Sequence, residues 1–133
     1  LAVAKPNLKI LVLDGDGAAL MRLGNLATIG AYKPNNFYHL LFDNESHEST
    51  GSQPTVSSQI DFSQIAFGCG YNKVVSATKS NEVIEALLTQ ENNGPIFIHI
   101  KTDIEKTRNL PRPLIKPPEQ LRQLQKYIEK QSI

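Results

Sequence analysis

Gly15, Asp16 and Gly17 stand between a short apolar run, residues 10–13, and a helical pattern that begins at Ala18. In open α/β sheets ligands bind beyond the carboxyl ends of strands, and glycine lets the backbone turn sharply and approach a ligand closely. The free N–H groups and the dipole at the start of a helix attract phosphate. A carboxylate in the same turn repels phosphate unless a cation lies between them. The spacing therefore predicts a bound anion near Gly17 and Ala18, with a metal ion at Asp16.

Asn44 follows the next apolar run, residues 37–42, and stands 28 residues after Asp16. Neighbouring parallel strands finish at the same edge of a sheet, so the amide of Asn44 can lie beside the carboxylate of Asp16. Mg²⁺ prefers octahedral oxygen coordination and usually takes few protein ligands together with substrate phosphates. One carboxylate, one amide oxygen and a backbone carbonyl just beyond, completed by phosphate oxygens and a water, therefore predict a Mg²⁺ site.

Two familiar ligand-binding patterns fit the same turn poorly. A dinucleotide-binding fingerprint requires a third glycine, but Leu20 occupies that position, and a charge stands inside the turn. A calcium loop requires an oxygen ligand at position 18, which is Ala18. A plain turn in which Asp16 only caps the helix stays open, as does a non-catalytic phosphate- or nucleotide-binding module with a flavodoxin-like fold.

The surrounding pattern predicts the elements that position these residues. Four runs rich in branched or aromatic residues, without polar alternation, are typical of buried strands: residues 10–13, 37–42, 74–77 and 96–100. Helical patterns cover residues 18–32, 60–69, 81–88 and 119–130. Alternating strands and helices indicate an α/β fold with an open, mostly parallel sheet flanked by helices.

Further expectations concern exposure and the segments between these elements. We expect the helix over residues 18–32 to be largely covered by the rest of the fold. The polar residues 44–59 are expected to form a functional loop without regular structure. The proline-rich residues 109–118 are expected to form a stiff, extended connector to the last helix.

Composition limits the classes of function. The 133 residues suit one domain, and a formal net charge of +1 does not favour nucleic-acid binding. Cys69 is the single cysteine, which excludes an internal disulfide and suggests a buried, inert thiol in a reducing compartment. No apolar run is long enough to span a membrane, so we expect a cytoplasmic protein. The chain opens at Leu1 without an initiator methionine, and we expect residues 1–133 to be one domain of a longer polypeptide.

The residues between Gly15 and Gly30, and again between Asp43 and Thr55, resemble the metal-diphosphate motif of thiamine diphosphate-dependent enzymes. The similarity extends over about residues 8–71 and is strongest to the decarboxylases of that family that act on phosphonopyruvate. The resemblance implies the diphosphate-binding domain fold, with thiamine diphosphate and Mg²⁺ as cofactors. It implies Mg²⁺ ligands from the side chains of Asp16 and Asn44 and from the backbone carbonyl of Ser46.

The resemblance also implies which residues bind the cofactor: Gly15, Asp16, Gly17, Ala18 and Asn44. Of these, Gly15, Gly17 and Ala18 would meet the diphosphate. The family often has two asparagines at the end of the second strand, and here the first of them is Asp43. Because the second asparagine is the usual ligand, this departure leaves the assignment of Asn44 in place.

The resemblance implies partners as well. The cofactor lies between this domain and a pyrimidine domain, from the same or a neighbouring chain, which supplies the activating glutamate. A homo-oligomer, a small 3-substituted pyruvate as substrate, and neither nucleic acid nor membrane are expected. The first substrate hypothesis is phosphonopyruvate, giving phosphonoacetaldehyde and CO₂, and sulfopyruvate is the alternative. This chain alone is expected to be inactive.

His47 is the candidate catalytic residue, because it lies in the polar loop next to the predicted metal and imidazole titrates near neutral pH. An ordinary surface histidine is the competing interpretation. His39 and His99 fall within predicted strands and are expected to be structural. A catalytic triad of a loop serine, His47 and Asp43 is disfavoured, since adjacent loop residues rarely converge and no nucleophile-elbow pattern is present.

Overall fold

The computed structural model describes residues 1–88, 93–103, 111 and 113–131. Its main sheet has four parallel strands, β1 Ile10–Gly15, β2 Phe37–Asp43, β5 Lys73–Ala77 and β6 Ile96–Lys101. Their order is β1-β2-β6-β5, so β2 and β6 are the inner strands. Each of the four predicted strands is present within one or two residues, and the predicted α/β class with a parallel sheet is confirmed.

Helices cover both faces of this sheet. Those that do so are α1 Asp16–Met21, α2 Gly24–Tyr32, α3 Phe62–Gly68 and α4 Ser80–Leu88. A fifth helix, α5 Pro117–Lys130, has no buried residue. The first three helices bury one face, with a core formed by Ala19, Leu26, Leu41, Phe62, Ala66, Tyr71 and Phe97. Helix α4 packs on the other face, against a core that includes Leu40, Ala77, Ile96 and Ile98. On the β1 side of this second face, Leu11 and Leu13 are exposed.

The predicted helix over residues 18–32 is two helices. Arg22, with φ −135° and ψ 42°, leaves the helical region, and its N–H bonds the carbonyl of Ala19 three residues back, which closes α1 before α2 restarts. The expectation that this segment is largely covered was wrong, because only Leu26 and Gly30 of α2 are buried. Cys69, expected to be buried, is only partly so.

The segment over residues 44–59 has regular structure, contrary to expectation. Strand β3 Ser46–His47 pairs antiparallel with β4 Gln53–Pro54, and single 3₁₀ turns occupy Glu48–Thr50 and Ser57–Gln59. Left-handed backbone at Glu45, Gly51 and Ser52 turns the chain back on itself. Local hydrogen bonds, which hydropathy does not reveal, therefore organise this polar segment into a hairpin.

Helix α5 begins earlier than expected, because Pro117 and Pro118 form its first turn, where a missing N–H is tolerated. Residues 109, 110 and 112 of the predicted connector lie outside the described part of the chain. Leu121 and Leu124 of this helix are about half exposed. Within the described ranges, no helix combines the length and the apolar character needed to cross a membrane.

Candidate functional site

A cleft of about 640 Å³ opens at the carboxyl ends of β1 and β2. It brings together every residue for which the sequence predicted a role in binding or catalysis: Gly15, Asp16, Gly17, Ala18, Asn44, Ser46 and His47. Thr102, just beyond the end of β6, also lines the cleft and was not anticipated. The predicted juxtaposition of the two strand ends is thus present.

Strand register explains this convergence. Gly15 is paired with Phe42 in the parallel β1–β2 ladder, so the residues that follow each strand leave the sheet side by side. Asp16 then begins α1, whereas Asp43 ends β2 and Asn44 enters the hairpin. The sheet edge therefore places both Asp16 and Asn44 in the lining of one cleft although they are distant in sequence.

Asp16 is 3% exposed, and its carboxylate Oδ2 accepts a hydrogen bond of 2.6 Å from the Thr55 hydroxyl. Among the described residues no cationic side chain pairs with it. A buried carboxylate without a cation is costly, and such groups are usually paired or coordinate a metal. Thr55 occupies one oxygen and leaves Oδ1 for a cation. Thr55 was missed from the sequence, where nothing marks its contact with Asp16.

The Asn44 side chain shapes the turn that follows β2. Its Oδ1 accepts a hydrogen bond from the Ser46 N–H at 3.1 Å, and its Nδ2 donates to the Glu48 carboxylate at 3.1 Å. Glu45, between them, has left-handed backbone with φ 60°. Ser46 is 8% exposed, and its buried hydroxyl has no hydrogen-bond partner within the described structure. An orphaned buried hydroxyl in this cleft suits a polar ligand.

Asp43 is fully buried and is the centre of a network that the sequence did not reveal. Its Oδ2 lies 2.7 Å from His99 Nε2 and 2.8 Å from Lys101 Nζ. Burial by itself would raise the pKa of Asp43, but hydrogen bonds from Lys101, Ser57, His99 and the Glu45 N–H outweigh it and hold the pKa at about 2. Asp43 is therefore an ionised, internally paired carboxylate.

Lys101 connects this network to the hairpin. Its ammonium lies 2.8 Å from Asp43 and 2.9 Å from the Glu45 carboxylate. Partial burial opposes the charge on Lys101, but the hydrogen bonds to Asp43 and Glu45 raise the pKa above its ordinary value. The sequence offered one signal that could have found this pair: Asp43 and Lys101 both end strands of the parallel sheet, so their side chains reach the same edge.

Two hydroxyls link the two buried carboxylates. The Ser57 hydroxyl donates to Asp43 Oδ1 at 2.7 Å, while the Thr55 hydroxyl donates to Asp16. The two hydroxyl oxygens are 3.1 Å apart, and the Ser57 N–H reaches the Thr55 oxygen at 3.3 Å. The hairpin thereby fixes the distance between the ends of β1 and β2.

His47 packs directly against α1. A side chain at Gly17 would place its Cβ 2.4 Å from His47 Nδ1, so any larger residue would require the ring to move. The ring forms a wall of the cleft, and its catalytic role stays a prediction. The disfavoured triad of a loop serine, His47 and Asp43 is absent within the described residues, because Asp43 bonds His99 and not His47.

A second histidine–aspartate pair lies deeper in the sheet. His39 Nε2 is 3.1 Å from Asp14 Oδ2, and His39 Nδ1 is 3.0 Å from the Tyr71 hydroxyl. Burial lowers the pKa of His39 despite the opposing effect of Asp14, and burial raises the pKa of Tyr71. A hydrogen bond from the protonated phenol of Tyr71 to the neutral imidazole of His39 is consistent with both pKa shifts. His39 and His99 are buried and hydrogen-bonded, as expected for structural residues.

The chemistry of the donor set fits Mg²⁺. Asp16, Asn44 and Ser46 offer a carboxylate, an amide oxygen and a backbone carbonyl, which are the hard oxygen donors that Mg²⁺ prefers. The described residues contain no group of three or more His, Cys, Asp or Glu side chains that could hold a metal ion. The predicted set contains only one such side chain, as expected for an ion that also takes phosphate and water oxygens.

Comparison with known proteins identifies the family. Residues 1–100 match the family described as thiamine pyrophosphate enzyme, C-terminal TPP binding domain. The chain is 40% identical to phosphonopyruvate decarboxylase of Streptomyces viridochromogenes over 90% of its length, and 39% identical to sulfopyruvate decarboxylase subunit beta of Methanothermobacter thermautotrophicus over 69%. It spans 30% of the first relative and 48% of the second.

An X-ray structure of a candidate thiamin diphosphate-dependent enzyme from Mycobacterium smegmatis has the same fold. It superposes with a TM-score of 0.60 at 16% identity, over 73% of this chain and 18% of that one. Because the family match covers three quarters of the sequence, the chain belongs to the thiamine pyrophosphate enzymes, as a C-terminal TPP-binding domain.

Proposed function

We propose that this chain is the diphosphate- and metal-binding domain of a thiamine diphosphate-dependent decarboxylase that acts on phosphonopyruvate. The observation that supports this most directly is the cleft at the ends of β1 and β2, which is lined by Asp16, Asn44 and Ser46. The long match to phosphonopyruvate decarboxylases supports the reaction class.

The residues at the two strand ends have separate tasks in this proposal. Asp16, through its free carboxylate oxygen, and Asn44 hold Mg²⁺ by side chain, and Ser46 holds it by its carbonyl. The backbone of Gly15, Gly17 and Ala18 faces the diphosphate, whose negative charge is offset by the metal. The cofactor, when bound, supplies the electron sink that accepts the electrons released with CO₂. The task of this chain is to orient that cofactor and neutralise its diphosphate.

The activating glutamate is proposed to come from a pyrimidine domain of the same or a neighbouring chain. The relatives are longer than this chain, which supports a second domain or subunit. Residues 1–133 alone are therefore expected to decarboxylate nothing. A homo-oligomeric assembly and a cytoplasmic location stay predictions.

Phosphonopyruvate is preferred over sulfopyruvate as the substrate because the phosphonopyruvate decarboxylases match a larger share of the chain. A phosphonate carries up to two charges, and a sulfonate carries one, so charge-assisted donors favour the phosphonate. His47, with the Ser49 and Thr50 hydroxyls, is proposed to supply part of that preference. All three residues line the cleft.

The metal assignment is tested by calorimetric titration of thiamine diphosphate into the protein that contains this chain, assembled with its pyrimidine domain. In Mg²⁺ we expect binding, and in EDTA none. Asp16→Ala and Asn44→Ala should each weaken binding by more than about 100-fold, because each removes one of few protein oxygens. Asp61→Asn, which keeps the N-cap oxygen of α3, is the control and should bind normally. Normal binding by both cleft variants would refute the assignment.

The substrate assignment is tested by comparing kcat/KM for phosphonopyruvate, sulfopyruvate and pyruvate. We expect phosphonopyruvate to be best, and His47→Ala to lower its kcat/KM roughly tenfold while changing that of pyruvate less. Equal losses on both substrates would make His47 a general catalytic or structural residue. A preference for sulfopyruvate would overturn the substrate and leave the cofactor assignment standing.

A further inference from the structure

Glu45 lies between two of the proposed metal ligands, Asn44 and Ser46, and has left-handed backbone with φ 60°. A residue with a side chain adopts this conformation only at a cost in free energy, so the surroundings must hold it there. The turn at Glu45 sets the direction in which the chain leaves β2. It therefore sets how the Asn44 side chain and the Ser46 carbonyl are presented to the cleft.

Every polar group of Glu45 is bound by a neighbour. Its N–H donates to Asp43 Oδ1 at 3.1 Å, and its carboxylate accepts from Lys101 Nζ at 2.9 Å. Its carbonyl accepts from the Thr55 N–H at 2.9 Å. Three elements, β2, β6 and the hairpin, thus fix one strained residue.

The groups that hold Glu45 are themselves fixed from the inner strand β6. Lys101 bonds both Asp43 and Glu45, and His99 Nε2 bonds the same Asp43 oxygen as Lys101. The Thr102 N–H donates to the Asp43 carbonyl at 2.9 Å. The position of the turn is therefore fixed relative to β6, a buried inner strand of the sheet. Asp43 is 0% exposed, so its carboxylate cannot itself reach a ligand in the cleft.

We propose that Asp43 and Lys101 are positioning residues for the metal site, acting through the left-handed turn at Glu45 and not by contact with the cation. The inference rests on the proposed function, because it concerns the geometry of the same ligands. It assigns a task to the aspartate that stands where the family often has asparagine. An asparagine there would have no charge to pair with the Lys101 ammonium, and it could turn its amide N–H₂ toward that ammonium. Asp43 and Lys101 therefore act as a matched pair.

The test measures the apparent dissociation constant of Mg²⁺, by calorimetry at saturating thiamine diphosphate, for the assembled protein. Residues that orient metal ligands typically affect metal affinity by 10- to 100-fold, and we expect Lys101→Met and Asp43→Asn to weaken Mg²⁺ binding by about that factor. Arg122→Gln, which breaks the exposed ion pair with Glu119, is the charge-removing control and should change nothing.

A double-mutant comparison separates positioning from general structural support. Glycine adopts φ 60° without strain, so Glu45→Gly should need Lys101 less. We expect Lys101→Met to weaken Mg²⁺ binding about tenfold in the parent protein and less than about threefold in the Glu45→Gly background. An equal loss in both backgrounds overturns the proposal, since Lys101 would then act independently of the turn.

Failure of this inference can be distinguished from failure of the proposed function. If the parent protein binds no thiamine diphosphate in Mg²⁺, the proposed function fails, and this inference fails with it. If the parent binds normally and a folded Lys101→Met binds Mg²⁺ equally well, only this inference fails. Should Asp43→Asn not fold, Lys101→Met and its comparison in the Glu45→Gly background decide the question, because Lys101 is partly exposed and tolerates replacement better.

Discussion

Asp16 and Asp43 are two buried carboxylates at the ends of neighbouring strands, yet their surroundings differ. Asp43 has an internal cation, Lys101, together with His99, Ser57 and the backbone of Glu45. Asp16 has only the Thr55 hydroxyl among the described residues. Among the described residues, the Lys101 ammonium therefore pairs with Asp43 and not with Asp16.

The difference indicates separate tasks for two chemically identical side chains. A buried carboxylate whose charge is paired internally is a structural anchor. One with a single hydroxyl partner can still accept a cation from outside, which is the task proposed for Asp16. This contrast can be tested by replacing either of the two carboxylates.

Removing the paired carboxylate should have the largest effect. Asp43→Ala leaves Lys101, His99 and Ser57 without their common partner, and breaking a buried ion pair typically costs about 3–5 kcal/mol. We expect the free energy of unfolding in EDTA to fall by that amount, measured by urea denaturation with circular dichroism. A loss below about 1 kcal/mol would mean that water compensates the network and that Asp43 is not an anchor.

Acid should protonate Asp43 and thereby weaken the same network. The pKa of Asp43 is held at about 2 in the folded protein, below the ordinary aspartate value of 3.8, so the unfolded state binds the proton first. Its stabilisation is present above about pH 4 and is lost as the pH falls toward about 2, and the contribution is about 2 kcal/mol. Urea denaturation across this acid range should show the loss, and Asp43→Asn should lack that part of it.

Removing the unpaired carboxylate should have the smallest effect on the apo protein and the opposite sign. Asp16→Asn keeps an acceptor for Thr55 and removes a buried charge that has no internal cation among the described residues. We expect the free energy of unfolding in EDTA to rise by roughly 1 kcal/mol, as for other residues that trade stability for function. Mg²⁺ with thiamine diphosphate should then stabilise the parent protein but not this variant. A destabilised Asp16→Asn would erase the contrast with Asp43.

Most of the fold could be predicted from the sequence because buried parallel strands leave a local signal. The four apolar runs and the Gly15-Asp16-Gly17 turn with Asn44 were sufficient to place one cleft at one sheet edge. The break at Arg22 was missed, since apolar spacing continues through it. The hairpin was missed because its turns depend on left-handed backbone at residues such as Glu45 and Ser52. These residues are not glycines, so the sequence gives no signal for that conformation.

The network around Asp43 could not be predicted for a different reason. His99 is 56 residues from Asp43, and Thr55 is 39 residues from Asp16. Such contacts can be inferred only when the strand order is known. The order β1-β2-β6-β5 places β6 beside β2. From the sequence alone, Asp43 is a tolerated departure from the family pattern. In the structure, Asp43 has hydrogen-bond partners on three elements.

The strand order also has a consequence for the sequence of events during synthesis. Strand β6 is the last of the four strands to leave the ribosome, yet it is an inner strand of the sheet. Until Lys101 has emerged, β2 has an open edge and the charge of Asp43 has no ammonium. Contacts of long sequence separation form late because closing the intervening loop is costly. The nascent chain can therefore pair β1 with β2 early, but the network around the proposed cofactor site is complete only after β6 has paired with both of its neighbours.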